Sequence, residues 1–353
     1  MIYQLKGAFR ALGLDRRIAR PFSRKIIAAI ALGAIAAVST VNLHIFATSE
    51  PAIAQGRSPA KLLRTIGDNR YAVFALAFSP NGKTILSGSI EDTIKYWDTS
   101  TGELKYTLSV HLGDVTSLAI SPNGDILASA SDDNTANLWN LNTGQLVYTL
   151  QGHGEAVKSV AISPNGEIVA SGSWDNTVRL WNPKTGAAIG ILSGHEDGVK
   201  SLTFSPDSKV VVSGDRDGKI KFWNTADFEV VRSIDAHDQE VNSLAFTPDG
   251  NIIVSASADK TLKVWNANTG ALIRTLRGHD FQVYAVAITP DGRTVASASD
   301  DRTIKLWDLA SGREIETITG HDKSVFAIAI SPDGKLLASG SNDNTIKLWQ
   351  IAQ

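Results

Sequence analysis

SVFAIAISPDGKLLASGSNDNTIKLW, residues 324–349, places a turn signal between two apolar runs and ends a third run on Trp349. Ser324–Ile330 alternates as a half-buried strand does, Leu336–Ser341 returns, and Thr345–Trp349 makes a third strand. Ser331-Pro332-Asp333-Gly334 has the chemistry of a tight hairpin turn. Proline presets φ, aspartate tolerates a turn conformation, and glycine supplies φ > 0.

The stretch recurs through the chain. Trp97, Trp139, Trp181, Trp223, Trp265, Trp307 and Trp349 stand 42 residues apart, and only Trp174 lies outside the series. His111, His153, His195, His237, His279 and His321 keep the same step. Six residues before each of those tryptophans stands Glu91, Asp133, Asp175, Asp217, Asp259, Asp301 or Asp343. Ten residues before stands Ser87, Ser129, Ser171, Ser213, Ser255, Ser297 or Ser339. A fixed period of this size signals a repeat architecture. In most copies a Thr-Gly or Ser-Gly pair (Thr101-Gly102, Ser311-Gly312) leads into a fourth strand. Seven four-stranded antiparallel sheets arranged radially give an all-β, seven-bladed propeller.

The ends of the repeat region predict how the ring closes. Only four residues follow Trp349, too few for an outer strand in the last blade. Leu62–Ile66 sits one period before Leu104–Leu108, where an outer strand belongs. It is therefore expected to pair with Thr345–Trp349, closing the ring and removing its free edges.

Composition bounds the function. The chain has 353 residues, 43% hydrophobic and 20% charged, with no cysteine and a net charge of −2. A missing cysteine excludes disulfides, thiolate metal sites and a catalytic thiol. Of 34 Lys/Arg and 36 Asp/Glu, seven basic and two acidic residues precede Gln55, leaving 27 against 34 from there onward. That acidic body argues against a nucleic-acid partner, since phosphate binding concentrates positive charge. The basic head precedes the apolar run Ile26–Val38 and the small-residue site Ala52-Ile53-Ala54. This order describes a signal peptide over residues 1–54, with 55–353 forming the repeats. Ile26–Ala47 is also long enough for an uncleaved anchor. Either reading places the repeats outside the cytoplasm: periplasmic, extracellular, or membrane-anchored facing outward.

Gly152-His153 and Gly278-His279, the Ser-Pro-Asp-Gly turn, and Trp97-Asp98 and Trp307-Asp308 resemble the WD40 repeat family over residues 62–353. The resemblance implies a platform for protein partners. It also implies a hydrogen-bonded brace in each blade. The brace would use His111, His153, His195, His237, His279 and His321 with a strand serine. Its turn acids would be Asp133, Asp175, Asp217, Asp259, Asp301 and Asp343, and its tryptophans the seven periodic ones. The first repeat departs with Asn69 for His and Glu91 for Asp. The fourth departs with Asp215 for Ser, Gly218-Lys219 for Asn-Thr, and Ala226-Asp227-Phe228 at its outer turn.

Ser, His and Asp are also the members of a hydrolase triad. Six or seven copies at one spacing argue for bracing instead, and the same repetition argues against metal binding by the histidines. No phosphate loop or dinucleotide fingerprint is present, so no cofactor is expected.

Specificity must then lie where the repeat varies. Val73, Val115, Val157, Val199, Val241, Val283 and Val325 recur in the first strand, and period-two alternation puts their neighbours on the opposite face. The residue after each is Phe74, Thr116, Lys158, Lys200, Asn242, Tyr284 or Phe326. The position before each turn acid holds Ile90, Asp132, Trp174, Arg216, Ala258, Asp300 or Asn342. Both positions approach the rim that the family calls its top face. On a closed ring, Tyr284, Phe326, Phe74 and Ile90 form an apolar patch, and Lys158, Trp174, Lys200 and Arg216 a basic one. Aromatics and arginine are enriched in binding hot spots. The expected function is a non-catalytic scaffold for a protein or peptide partner. The alternative is small-ligand or glycan binding, or an undetected activity, at the central channel, with the aromatics packed around its mouth.

Overall fold

The computed structural model describes residues 59–351 except 68 and 110. The expected signal segment, residues 1–54, lies outside the described residues. Seven four-stranded antiparallel sheets make up the repeat region, with no helix among the described residues. Blade 1 is built from Val73–Phe78, Thr84–Ser89, Thr93–Asp98 and Leu104–Ser109, and blades 2 to 6 repeat this order along the chain. Blade 7 takes Val325–Ile330, Leu336–Ser341 and Ile346–Gln350 from the C-terminal end and Lys61–Ile66 from the N-terminal end. Its outer pair runs with Leu62 opposite Trp349 and Ile66 opposite Ile346. The closure expected from the spacing is the closure observed.

Burial falls outward across each blade. The second strand is almost wholly buried, as in Ile126–Ser131, whereas the outer strand Leu104–Ser109 is mostly exposed. The core sits between blades. One cluster joins Val73, Leu76, Ile85 and Trp97 of blade 1 to Ala338, Ile346 and Leu348 of blade 7. The next joins Leu86, Ile94 and Tyr96 of blade 1 to Val115, Leu127 and Trp139 of blade 2. Successive blades approach closely enough to require small residues at the contact. A Cβ added to Gly340 would meet Val73 Cγ1 at 2.6 Å.

The first strand of every blade contains an irregularity that alternation does not anticipate. Its pairing with the second strand slips between Val73 and Ala75, Val115 and Ser117, and Val157 and Ser159. It slips at the same place in blades 4 to 7. The residue after each valine is therefore a bulge. A bulge interrupts the period-two order and re-aims one side chain. Simple alternation therefore does not hold through these residues, and all seven line one cavity at the mouth of the central channel.

Candidate functional site

The recurring polar residues form a closed relay. In blade 3, Trp181 Nε1–H donates to Ser171 Oγ at 2.8 Å, Ser171 Oγ lies 2.8 Å from His153 Nε2, and His153 Nδ1 lies 2.8 Å from Asp175 Oδ2. The Asp175 carboxylate can only accept, so the imidazole donates from Nδ1, and Nε2 accepts from the Ser171 hydroxyl, which itself accepts from the indole N–H. The imidazole proton then sits on Nδ1 and points at the carboxylate. His111, His237, His279 and His321 make the same bonds in blades 2, 5, 6 and 7. The serines are fully buried, with one lone pair engaged by the tryptophan.

Burial alone would raise the Asp133 carboxyl, but His111, Thr135 and the Leu112 amide donate to it and hold it well below the usual carboxylate range. Asp259, Asp301 and Asp343 are held down the same way. Burial pushes the His153 imidazole down, which favours its neutral form.

Two blades depart. In blade 4 the acid facing His195 is Asp215, not Asp217, at 2.6 Å and with both side chains fully buried. The expected role of Asp217 is thus corrected: it is exposed, two residues beyond the acid that replaced serine. Asp215 Oδ1 also accepts the Lys219 amide at 2.8 Å, as Asp133 Oδ1 accepts the Thr135 amide at 2.9 Å. Gly218 accommodates the altered turn at φ 81°, where a Cβ would meet the His237 carbonyl oxygen at 2.1 Å. In blade 1, Trp97 still donates to Ser87 at 2.8 Å. Asn69 is buried there, and among the described residues neither its side-chain polar atoms nor the Thr93 hydroxyl finds a partner. Glu91 instead accepts the Arg70 amide and pairs with Lys95, each at 2.9 Å.

The bulge residues form a ring around the channel. Phe74, Thr116, Lys158, Lys200, Asn242, Tyr284 and Phe326 line a mouth cavity of about 260 Å³ together with Asp114 and Asp132. The ring is divided. Phe326 touches Phe74 at a centroid distance of 5.0 Å and Tyr284 edge-on at 4.9 Å, so blades 6, 7 and 1 are joined by aromatic packing. Polar bonds from the ring instead join blade 2 to blade 3, blade 4 to blade 5 and blade 5 to blade 6. Thr116 Oγ1 donates to the Val157 carbonyl at 2.7 Å, Lys200 to Asn242 Oδ1 at 3.0 Å, and Asn242 Nδ2 to the Val283 carbonyl at 2.9 Å. Below the ring the wall continues the division, with Ser117, Ser159, Ser201 and Ser243 on one side and Ala285, Ala327 and Ala75 on the other. Ile90 does not line this mouth; it stands exposed on the adjoining turn.

Trp174 is gathered with two of its expected neighbours. Lys158 Nζ lies 4.5 Å and Arg216 Cζ 5.4 Å from its ring centroid, both within cation–π range. The patch is not basic in sum, because acids from other loops meet every cation. Asp132 binds Lys158 at 2.5 Å, Glu240 binds Lys200, and Asp197 and Glu240 lie 3.5 and 3.4 Å from Arg216. Asp197 and Glu240 were not singled out in the sequence, since the acids meet these cations only once blades are adjacent. Sequence reasoning also missed Leu112, 89% exposed in the loop entering blade 2, and the exposed Tyr71 and Phe281 in equivalent loops. Their signal was available: each is a large apolar residue in a loop whose other copies are polar or glycine.

Among curated proteins, none matches this chain. A family model for the WD domain, G-beta repeat, matches residues 60–98, 102–140 and 144–182. A model for the WDR3 first beta-propeller domain matches residues 176–351. With the seven closed blades and the Trp–Ser–His–Asp relay, these matches place the chain in the WD40 repeat family.

Proposed function

We propose that this protein is a non-catalytic scaffold that receives a protein or peptide partner on the top face of the propeller, outside the cytoplasm. The observation that carries this reading is the mouth of the channel. Seven side chains at the same bulge position are aimed into one opening, and three adjacent ones are aromatic while four are polar. Blades 2 to 5 close the same ring without an aromatic at that position, so the architecture does not call for Phe74, Tyr284 and Phe326 there. Partly exposed aromatics and a cation-flanked tryptophan are the kinds of group on which interface energy concentrates. Family membership supports the scaffold role, and the basic head, apolar run and Ala-Ile-Ala site support export.

The test is a pull-down from the extracytoplasmic fraction with the native protein and with Trp174→Ala and Phe74→Ala/Phe326→Ala variants of unchanged melting temperature. A partner recovered by the native protein and lost with either variant is the expected result. Equal recovery by all three proteins would remove the top face as the site.

A further inference from the structure

The charges at the mouth do not balance evenly around it. Lys158 is engaged by Asp132 of blade 2 and by the Trp174 ring of blade 3, and Lys200 by Glu240 and Asn242, so both ammonium groups already have partners. Asp114 lines the same cavity on blade 2 and has no cation within ion-pair distance among the described residues. Burial raises its carboxyl above the usual range, and Asp132 and Asp92 raise it further, against a smaller opposing effect from Lys158. Asp92 is likewise without an ion pair among the described residues.

Apolar groups flank these acids. Ile90 and Leu112 are exposed, and Phe74 sits in the mouth on the adjoining blade. In blades 2 and 3 the residue equivalent to Asp92 is an asparagine that donates across the seam: Asn134 to the Gly154 carbonyl at 3.5 Å, and Asn176 to the Glu196 carbonyl at 3.2 Å. Leu112 is the residue equivalent to Gly154 and Glu196, so it borders the Asp92 turn. A carboxylate cannot make that donation. The seam between blades 1 and 2 thus exposes two acids, an aromatic ring and two aliphatic side chains.

We propose that this seam binds a short basic–apolar segment of the partner, with an arginine or lysine side chain entering the mouth between Asp114 and Phe74 and an adjoining apolar residue resting on Ile90 and Leu112. The proposal rests on the top-face reading above and gives it a chemistry. Charge complementarity selects the occupant: a carboxylate without a counter-ion beside an aromatic face matches a cation through ion pairing and cation–π contact together. Guanidinium fits best, since it can hydrogen-bond the carboxylate edge-on while stacking on the ring.

Calorimetric titration of the whole protein with three synthetic peptides tests this. The peptides are acetyl-Gly-Arg-Leu-Gly-amide and its Arg→Gln and Arg→Glu analogues. The arginine peptide is expected to bind at least about fivefold more tightly than the glutamine peptide, and the glutamate peptide not measurably. Asp114→Asn should remove the arginine preference, and Leu112→Ser should weaken binding of both the arginine and glutamine peptides. Both positions are partly or fully exposed, so the fold should be unaffected. Equal binding of the arginine and glutamine peptides, an arginine preference that survives Asp114→Asn, or no binding of any of the three would overturn the proposal. If a pulled-down partner requires Phe74 and Phe326 but not Asp114 or Leu112, the top-face reading stands and the basic–apolar segment falls.

Discussion

The ring of Phe228 lies against Gly190 where blade 3 meets blade 4, so closely that a Cβ on Gly190 would meet it at 2.9 Å. Other junctions reverse the sizes. Tyr148 covers Gly186, Arg232 covers Gly270 and Arg274 covers Gly312, each with the large residue on the outer strand and glycine on the next blade's turn. Phe228 occupies that turn position at φ 65°, a strained value for a side chain of its kind. Its packing over Gly190 offsets the strain.

A double-mutant cycle checks this exchange. Gly190→Tyr should clash and Phe228→Gly should leave a hole, each destabilising the fold by about 1–3 kcal/mol. The double variant restores the arrangement of the other junctions and should recover at least about 1 kcal/mol relative to additivity in urea unfolding. Additive losses would show that the two positions are not coupled.

The fourth blade also separates two acids. Asp215→Asn should destabilise by about 3 kcal/mol or more, because His195 and the Lys219 amide lose a fully buried carboxylate. Asp217→Asn should stay within about 0.5 kcal/mol, as for most exposed substitutions. Chemical denaturation of both variants gives the comparison, and equal effects would contradict the assignment.

Acid should loosen the braces in two stages. His153 is held below its ordinary value of 6.5, so its contribution is complete above that pH and declines as pH falls through the lowered value. Asp133, Asp259, Asp301 and Asp343 are held below 3.8, so their contribution is complete above about that pH and is lost on further acidification. Melting temperature should therefore be flat near pH 7 to 8, decline gently below about 6.5 and fall steeply below about 4. A melting temperature that rises between pH 6 and 3 would contradict the relay's protonation pattern.

Removing residues up to 66 should cost far more than a terminal trim. Ile66 is buried in the cluster that joins blades 7 and 1, and Lys61–Ile66 pairs along Ile346–Gln350. Its loss exposes a strand edge, so the truncated protein should melt lower and self-associate. Unchanged melting with a monomeric elution profile would contradict closure by this strand.

The ring and its closure were legible because tryptophan, serine and acid fall at one spacing and a single outer strand was missing. The relay was legible in every blade that keeps the full residue set. Blade 4 misled because two acids two residues apart both suit a turn, and only the fold shows which one faces His195. The site was legible in composition but not in aim. Phe74 and its six counterparts look like ordinary alternating positions, while the bulge that turns them inward depends on the partner strand. Asp197 and Glu240, which neutralise Lys200 and Arg216, come from other loops, so no local pattern announces them.

The most direct test of the scaffold account measures binding and melting on one protein, the Phe74→Ala/Phe326→Ala variant. The two rings touch across the blade 7–blade 1 junction at 5.0 Å, within a mouth that other blades form without aromatics. The account predicts affinity for a pulled-down partner reduced at least about tenfold, since aromatic anchors commonly carry about 2 kcal/mol or more, with melting temperature lowered only slightly. Unchanged affinity together with a large fall in melting temperature would show that the rings serve the fold alone and would contradict it.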